Sequence, residues 1–262
     1  MKENKMLGAI AGDIIGSFYE RAPIKTKMFP LFSYRSTFTD DTVLTVATAY
    51  AINNEIGYAE AYKQFARKYP DAGYGGSFLK WAMGSSDEPY NSWGNGAAMR
   101  VSPIGFMFND IDEVLAEAKK SAEVTHDHPE GIKGAQAVAL AIVLARNGES
   151  KEFIKQLITE QFGYDFTRTL DEIRPAYSFE VSAQKSVPEA IICFLESTNF
   201  EDAIRNAVSL GGDADTMACI AGGIAEAFYG GVPDKIVVSA KELLPAEFID
   251  ILVLTPVKHS RT

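Results

Sequence analysis

Apolar residues recur at three- and four-residue spacing along most of this chain, the period of helices with one buried face. The first such stretch is 6–18, where Leu7, Ile10, Ile14 and Phe18 fall on one stripe. Gly8, Gly12 and Gly16 make a second stripe at every fourth residue. Each glycine costs a helix about 1 kcal/mol against alanine, so three on one face predict a very close approach by another helix or by a ligand. The same period predicts helices over 42–52, 58–69, 112–124, 130–146, 152–162, 200–210, 216–229 and 233–243. A further helix over 189–196 is read with Pro188 as its first residue and Ser186 as its cap. Segments 21–36, 70–105 and 163–187 are read as loops, with one turn near Leu170, and the tail after Leu254 as loose. No run of alternating strands interrupts the pattern. The expected fold is all-α, a single domain over 1–262 with no repeat or linker.

Composition changes this picture little. With 47% hydrophobic and 23% charged residues, the chain has an ordinary globular balance. A net charge of -10 argues against a bulk nucleic-acid or membrane surface, which needs a basic stripe. Lys2 and Lys5 precede an apolar stretch, but Asp13 interrupts it and no A-x-A cleavage site follows, so the expectation is a cytoplasmic protein. Cys193 and Cys219 both lie in apolar contexts and read as inert core thiols.

The chemistry begins at Phe38-Thr39-Asp40-Asp41-Thr42, two carboxylates and two hydroxyls at the start of a predicted helix. Alone this is an N-cap, whose side-chain oxygens accept the free N–H groups of a first turn. A second such stretch, Gly211-Gly212-Asp213-Ala214-Asp215-Thr216, also precedes a small-residue helix. Oxygen-only sets of this kind select hard divalent cations. Glu20, seven residues after Asp13, projects to the same side of the first helix.

Four segments occur in order: Gly12-Asp13-Ile14-Ile15-Gly16-Ser17-Phe18-Tyr19-Glu20, the Thr39-Asp40-Asp41 stretch, Gly94-Asn95-Gly96-Ala97-Ala98-Met99-Arg100, and the Gly211–Thr216 stretch. Together they closely resemble the ADP-ribosyl-glycohydrolases, the family of the dinitrogenase-reductase-activating glycohydrolase, over about 8–231. The resemblance implies an orthogonal multi-helix domain with a central cleft and a binuclear centre of two divalent cations, Mg²⁺ or Mn²⁺. Its metal ligands would be Thr39, Asp40, Asp41, Asp213, Asp215 and Thr216, with Glu20 as ligand or acid/base group and Asp41 essential to turnover. Asp13 would support rather than catalyse. Ser92, Trp93, Gly94, Asn95, Gly96 and His126 would contact the substrate, the glycines admitting phosphate close to the backbone and Trp93 facing adenine.

The implied activity is removal of ADP-ribose from a modified protein, nucleic-acid base or small molecule, by hydrolysis of the N- or O-glycosidic bond at the anomeric carbon. The alternative is a non-catalytic relative that binds ADP-ribose or serves structurally; every expected ligand position being filled weighs against it. A zinc site on His126-Asp127-His128 would need His259 as a third ligand. Arg100 is open to pairing with phosphate or to a structural salt bridge. The leaving-group pocket is expected from loops 21–36 and 163–187.

Overall fold

The computed structural model describes residues 6–252. Its elements are helices, in chain order α1 (Leu7–Arg21), α2 (Asp40–Asn54), α3 (Tyr58–Lys68), α4 (Gly76–Met83), α5 (Gly96–Met99), α6 (Ser102–Met107), α7 (Ile111–Glu123) and α8 (Pro129–Arg146). They continue with α9 (Lys151–Phe162), α10 (Leu170–Ile173), α11 (Ala183–Leu195), α12 (Phe200–Ser209), α13 (Ala214–Tyr229), α14 (Asp234–Glu242) and α15 (Ala246–Ile251). Among the described residues no strand forms; one isolated antiparallel bridge pairs Gly94 with Ser182. The all-α expectation is met. The expectation of a loose tail lies outside the described residues.

The glycine stripe of α1 explains the centre of the molecule. A Cβ on Gly8, Gly12 or Gly16 would fall 2.4, 2.0 or 2.4 Å from a backbone oxygen of α13, those of Gly222, Ala218 and Ala214. Gly222 returns the contact, its own Cβ position lying 2.3 Å from the Gly8 carbonyl oxygen. The close approach is therefore by a helix, and α1 and α13 run as a backbone-to-backbone seam through a core that includes Ile10, Ile14, Met217 and Ala221. The seam sets Asp13 and Glu20 on α1 beside the start of α13. Helices α8, α11 and α12 pack around α13, and α2 around α1.

Three sequence expectations fail, each for a physical reason. The 70–105 segment is not one loop: it holds α4, α5 and α6. Its glycines and serines flank short helices whose apolar residues do follow the period, as in Phe78, Trp81 and Ala82, all buried. Pro103, at the start of α6, was a further helix signal.

Pro188 does not begin its helix but sits inside α11. The turn before it is held by tertiary contacts: Ala183 N–H donates to Trp93 C=O at 3.0 Å, and Ala183, Ser186 and Val187 are buried. That burial outweighs the one backbone bond a proline removes. Ser186 accordingly caps nothing; its hydroxyl donates to Ser182 C=O at 2.8 Å. Finally, α15 is absent from the predicted helices. Its six residues are too few to show a period, and it is fixed by Phe248, buried against Phe38, Phe65 and Tyr69.

Candidate active site

Helix α2 begins as its sequence predicts. Thr39 is the N-cap, its Oγ1 accepting from Asp41 N–H at 3.3 Å. What the cap reading alone omits is Asp13. From α1 it accepts from Thr39 N–H at 2.9 Å, Thr39 O–H at 2.7 Å and Thr42 N–H at 3.1 Å, and from the Thr42 hydroxyl. Both Asp13 oxygens are thus occupied in bracing the start of α2.

The start of α2 faces the start of α13. Asp41 Oδ2 accepts from the Thr216 hydroxyl at 3.2 Å across 175 residues of sequence. Asp215 Oδ1 accepts from Thr216 N–H at 2.9 Å, and Asp213 Oδ2 from the Asn95 amide at 2.8 Å. Two sets of carboxylates converge, Asp13 with Asp41 and Asp215, and Glu20 with Asp213 and Asp215. Within each set one oxygen per residue lies within 4.8 Å of the others, and Asp215 belongs to both. Asp40 and Thr39 are half-buried at the edge of the same cluster.

This much buried negative charge in one place is costly, and it drives the carboxyl pKa values upward. Burial, then the Asp13 and Asp40 charges, pushes Asp41 well above the usual carboxylate range. Burial, then Asp41 and Asp213, does the same to Asp215. Burial followed by Asp13 pushes Asp40 up to about 8, and burial alone pushes Asp13 up to about 6 against four hydrogen bonds that lower it. Asp213 is raised by burial; Glu20 is raised by burial first and Asp213 second, with Arg21 opposing.

The donors fit a hard divalent cation. All are carboxylate or hydroxyl oxygens, and Asp41 Oδ1 is buried with no hydrogen-bond partner. An orphaned buried carboxylate oxygen costs more than an ordinary hydrogen bond returns, and a cation is the group that would satisfy it.

The cluster forms the floor of a cleft of about 880 Å³. Glu20, Thr39, Asp40, Asp41, Asp213, Asp215 and Thr216 all line it, as do Ser92, Gly94, Asn95, Gly96 and His126. Trp93 does not line it; the residue is 53% exposed. Two amides of the glycine loop are already engaged: Gly94 N–H donates to Ser92 Oγ at 3.2 Å, and Asn95 N–H to Val181 C=O at 2.8 Å. Gly94 and Gly96 also make room for an imidazole, since a Cβ on Gly96 would lie 3.1 Å from His126 Nε2.

His126 is buried, held at Nδ1 by Thr125 Oγ1 at 2.8 Å, while His128 caps α8 by accepting Glu130 N–H. His259 lies outside the described residues. Arg100 forms no salt bridge among the described residues; it is fully buried over the Tyr62 ring, yet it lines the cleft, with Nε and Nη1 lacking hydrogen-bond partners. The free cysteines are buried, as expected.

Around the acids the wall includes Tyr69, Asp71, Gly73 and Ser77, to which the sequence assigned no individual role. Of the loops expected there, 21–36 contributes only Arg21, and 163–187 contributes Phe179 and Val181. The Gly211-Gly212 turn leading to Asp213 is tightly enclosed. A Cβ on Gly212 would lie 2.4 Å from the Tyr177 ring, and Gly211 has φ +65° beneath Lys25, whose ammonium bonds Leu210 C=O and Tyr177 C=O. Lys25, Tyr177 and Asn95 thus shape the acid loop from three separate segments.

With this geometry in place, comparison with known proteins is decisive. Residues 4–254 match the family described as ADP-ribosylglycohydrolase. The chain belongs to that family. It is 30% identical over 306 aligned residues to the Homo sapiens ADP-ribosylhydrolase ARH3, covering 86% of this chain and 84% of that one. It is 25% identical to the ADP-ribosylarginine hydrolase Tri1 of Pseudomonas putida, covering 88% and 71%. A solved "ADP-ribosylglycohydrolase-related protein complex" superposes with TM-score 0.73 at 23% identity over 95% of both chains, which establishes the shared fold. No described helix is long and apolar enough to cross a membrane.

Proposed function

We propose that this member of the family is a divalent-cation-dependent hydrolase that releases ADP-ribose from a modified target, cutting the N- or O-glycosidic bond at the anomeric carbon. The observation that carries the reading is the buried acid cluster, with Asp41 Oδ1 left without a partner, on the floor of a cleft large enough for a nucleotide sugar. Two cations bound there, Mg²⁺ or Mn²⁺, would supply Lewis acidity toward ribose hydroxyls and water, and their charge would offset that of the carboxylates.

The protein's own part divides by element. Asp40 and Asp41 from α2, and Asp213, Asp215 and Thr216 from the start of α13, offer the cation ligands, with Thr39 at their edge. Glu20 stands near the end of α1 and lines the cleft, its carboxyl raised above the usual range by burial first and the Asp213 charge second, which favours a proton-carrying role. That suits transfer to the leaving group or from the attacking water. Asn95 ties the glycine loop to Asp213, so a substrate seated on Ser92, Gly94 and Gly96 is registered against the acids. Trp93, exposed between the cleft-lining Ser92 and Gly94, is available to stack on a purine.

The deciding assay measures free ADP-ribose released from arginine- and serine-linked ADP-ribosylated peptides, with Mg²⁺, with Mn²⁺ and with chelator. Cation-dependent release that disappears in Asp41→Ala supports the reading. Tight ADP-ribose binding with no release from these or from base and small-molecule conjugates would make the chain a binding relative instead.

A further inference from the structure

Within the cleft wall, which Tyr90, Arg100 and His126 all line, lies a chain of polar side chains that neither the acid cluster nor the proton transfer uses. The Arg100 guanidinium packs 4.1 Å over the Tyr62 ring centroid and is fully buried. Its Nη2 donates to Ser121 C=O at 2.9 Å and to Thr125 Oγ1 at 2.8 Å. Thr125 Oγ1 lies in turn 2.8 Å from His126 Nδ1, and both residues are buried. The other ring nitrogen, Nε2, stands against the glycine loop, near the Cβ positions of Gly94 and Gly96 at 3.8 and 3.1 Å. Nδ1 therefore faces the interior and Nε2 the cleft.

Donors, acceptors and buried charge together favour one direction in this arrangement. A guanidinium only donates, so Thr125 Oγ1 must accept from Arg100. The hydroxyl has a single proton of its own. Accepting from a cation polarises it and makes it a stronger donor. Donated to Nδ1, that proton makes Nδ1 an acceptor, and the imidazole hydrogen must then reside on Nε2. A hydrogen on Nδ1 would instead need the second lone pair of an oxygen already held by a buried positive charge, and the Thr125 proton would have to turn to Tyr90. Burial first, and the Arg100 charge second, push the imidazole well below its usual range, which keeps it neutral. The titratable groups facing the ring are Arg100 and Tyr90; α8 presents only Gly131. Tyr90 also approaches Thr125, and its hydroxyl is the competing acceptor for the Thr125 proton.

The geometry points to Arg100 and Thr125 as positioning residues that lock His126 in its Nε2–H tautomer, presenting a neutral hydrogen-bond donor of fixed direction to the cleft. With no lone pair on Nε2, His126 takes no proton from substrate or water. It recognises an acceptor, an oxygen or aromatic nitrogen of bound ADP-ribose. That last identification rests on the proposed function, whereas the lock does not.

The test is a long-range proton–nitrogen correlation spectrum of the ¹⁵N-labelled full chain from pH 5 to 8, with His126 assigned by its loss in His126→Gln. The expected result is one Nε2–H tautomer that stays neutral throughout. An Nδ1–H form, an even mixture or an imidazolium at pH 6 overturns the proposal, and the wild-type protein alone decides it. Thr125→Val should release the tautomer into a mixture and weaken ADP-ribose binding about tenfold, the worth of one hydrogen bond, with Thr125→Ser restoring both. A Thr125→Val protein that keeps the single tautomer refutes the relay. If wild type shows the lock but binds no ADP-ribose by calorimetry, the functional reading fails and the lock stands.

Discussion

Gly12→Ala puts the central seam to the test. The added Cβ would lie 2.0 Å from Ala218 O, 2.4 Å from Ala218 C and 2.8 Å from Cys219 N. All three are backbone atoms of α13, so no side chain can rotate away. Restoring an ordinary contact of more than about 3 Å requires the two helices to separate by about 1 Å. Overpacking of a closed core typically costs about 1–3 kcal/mol, and a rigid backbone neighbour places this case at about 3–4 kcal/mol. Alanine returns about 1 kcal/mol of helix propensity. The net loss of about 2–3 kcal/mol corresponds to roughly 5–10 °C in Tm for a domain of this size.

The same displacement moves Asp13 and Glu20 away from Asp213 and Asp215, so Mn²⁺ affinity should fall together with Tm. Thermal unfolding with and without Mn²⁺, alongside Mn²⁺ titration calorimetry, reads both. Gly76→Ala is the control, because nothing lies within 4 Å of its Cβ position; its Tm should move by less than about 2 °C. A Gly12→Ala protein as stable as wild type would refute the seam as the device that sets the acid cluster.

Three further outcomes follow from the site. Asp41→Asn should abolish cation binding and turnover, yet raise the Tm of the cation-free protein at pH 8 by removing a carboxyl that burial and its acidic neighbours hold well above its usual range; a lowered cation-free Tm would contradict the electrostatic account. The cation-free protein should lose stability as pH rises. Asp13 and Asp40, pushed up to about 6 and about 8, bind protons more tightly folded than unfolded, so the penalty is absent below the unfolded carboxyl value of 3.8 and complete above about 8. Tm should fall from pH 5 to 8.5, Mg²⁺ should abolish most of the fall, and a flat cation-free profile would exclude it. Lastly, ADP-ribose should quench tryptophan emission in wild type but not in Trp93→Phe, where Trp81 remains buried; equal quenching in both would remove Trp93 from the binding surface.

The sequence by itself determined much of this protein. The helical period, the Thr39 cap and the glycine stripe of α1 are local or periodic features, legible because backbone geometry and propensity act over one or two turns. The four ordered motifs carried the family and the acids expected to converge. The tertiary structure decided what depends on distant partners. The approach to Gly8, Gly12 and Gly16 comes from α13, some 200 residues on, and no local rule distinguishes a helix from a ligand there. Pro188 became interior to α11 because contacts with Trp93 and burial of Ala183 outweigh one lost backbone bond. Short helices such as α5 and α15 hold only through their surroundings, since a few residues cannot meet the cost of nucleation alone. Arg100, ambiguous in sequence between phosphate and ion pair, was assigned by the fold to Thr125 and, through it, to His126. The opening stretch is both things at once. Thr39 caps α2 by local geometry, whereas Asp41 faces Thr216 across 175 residues because the α1–α13 seam, with Asp13 bracing α2 upon it, brings those two helix starts together.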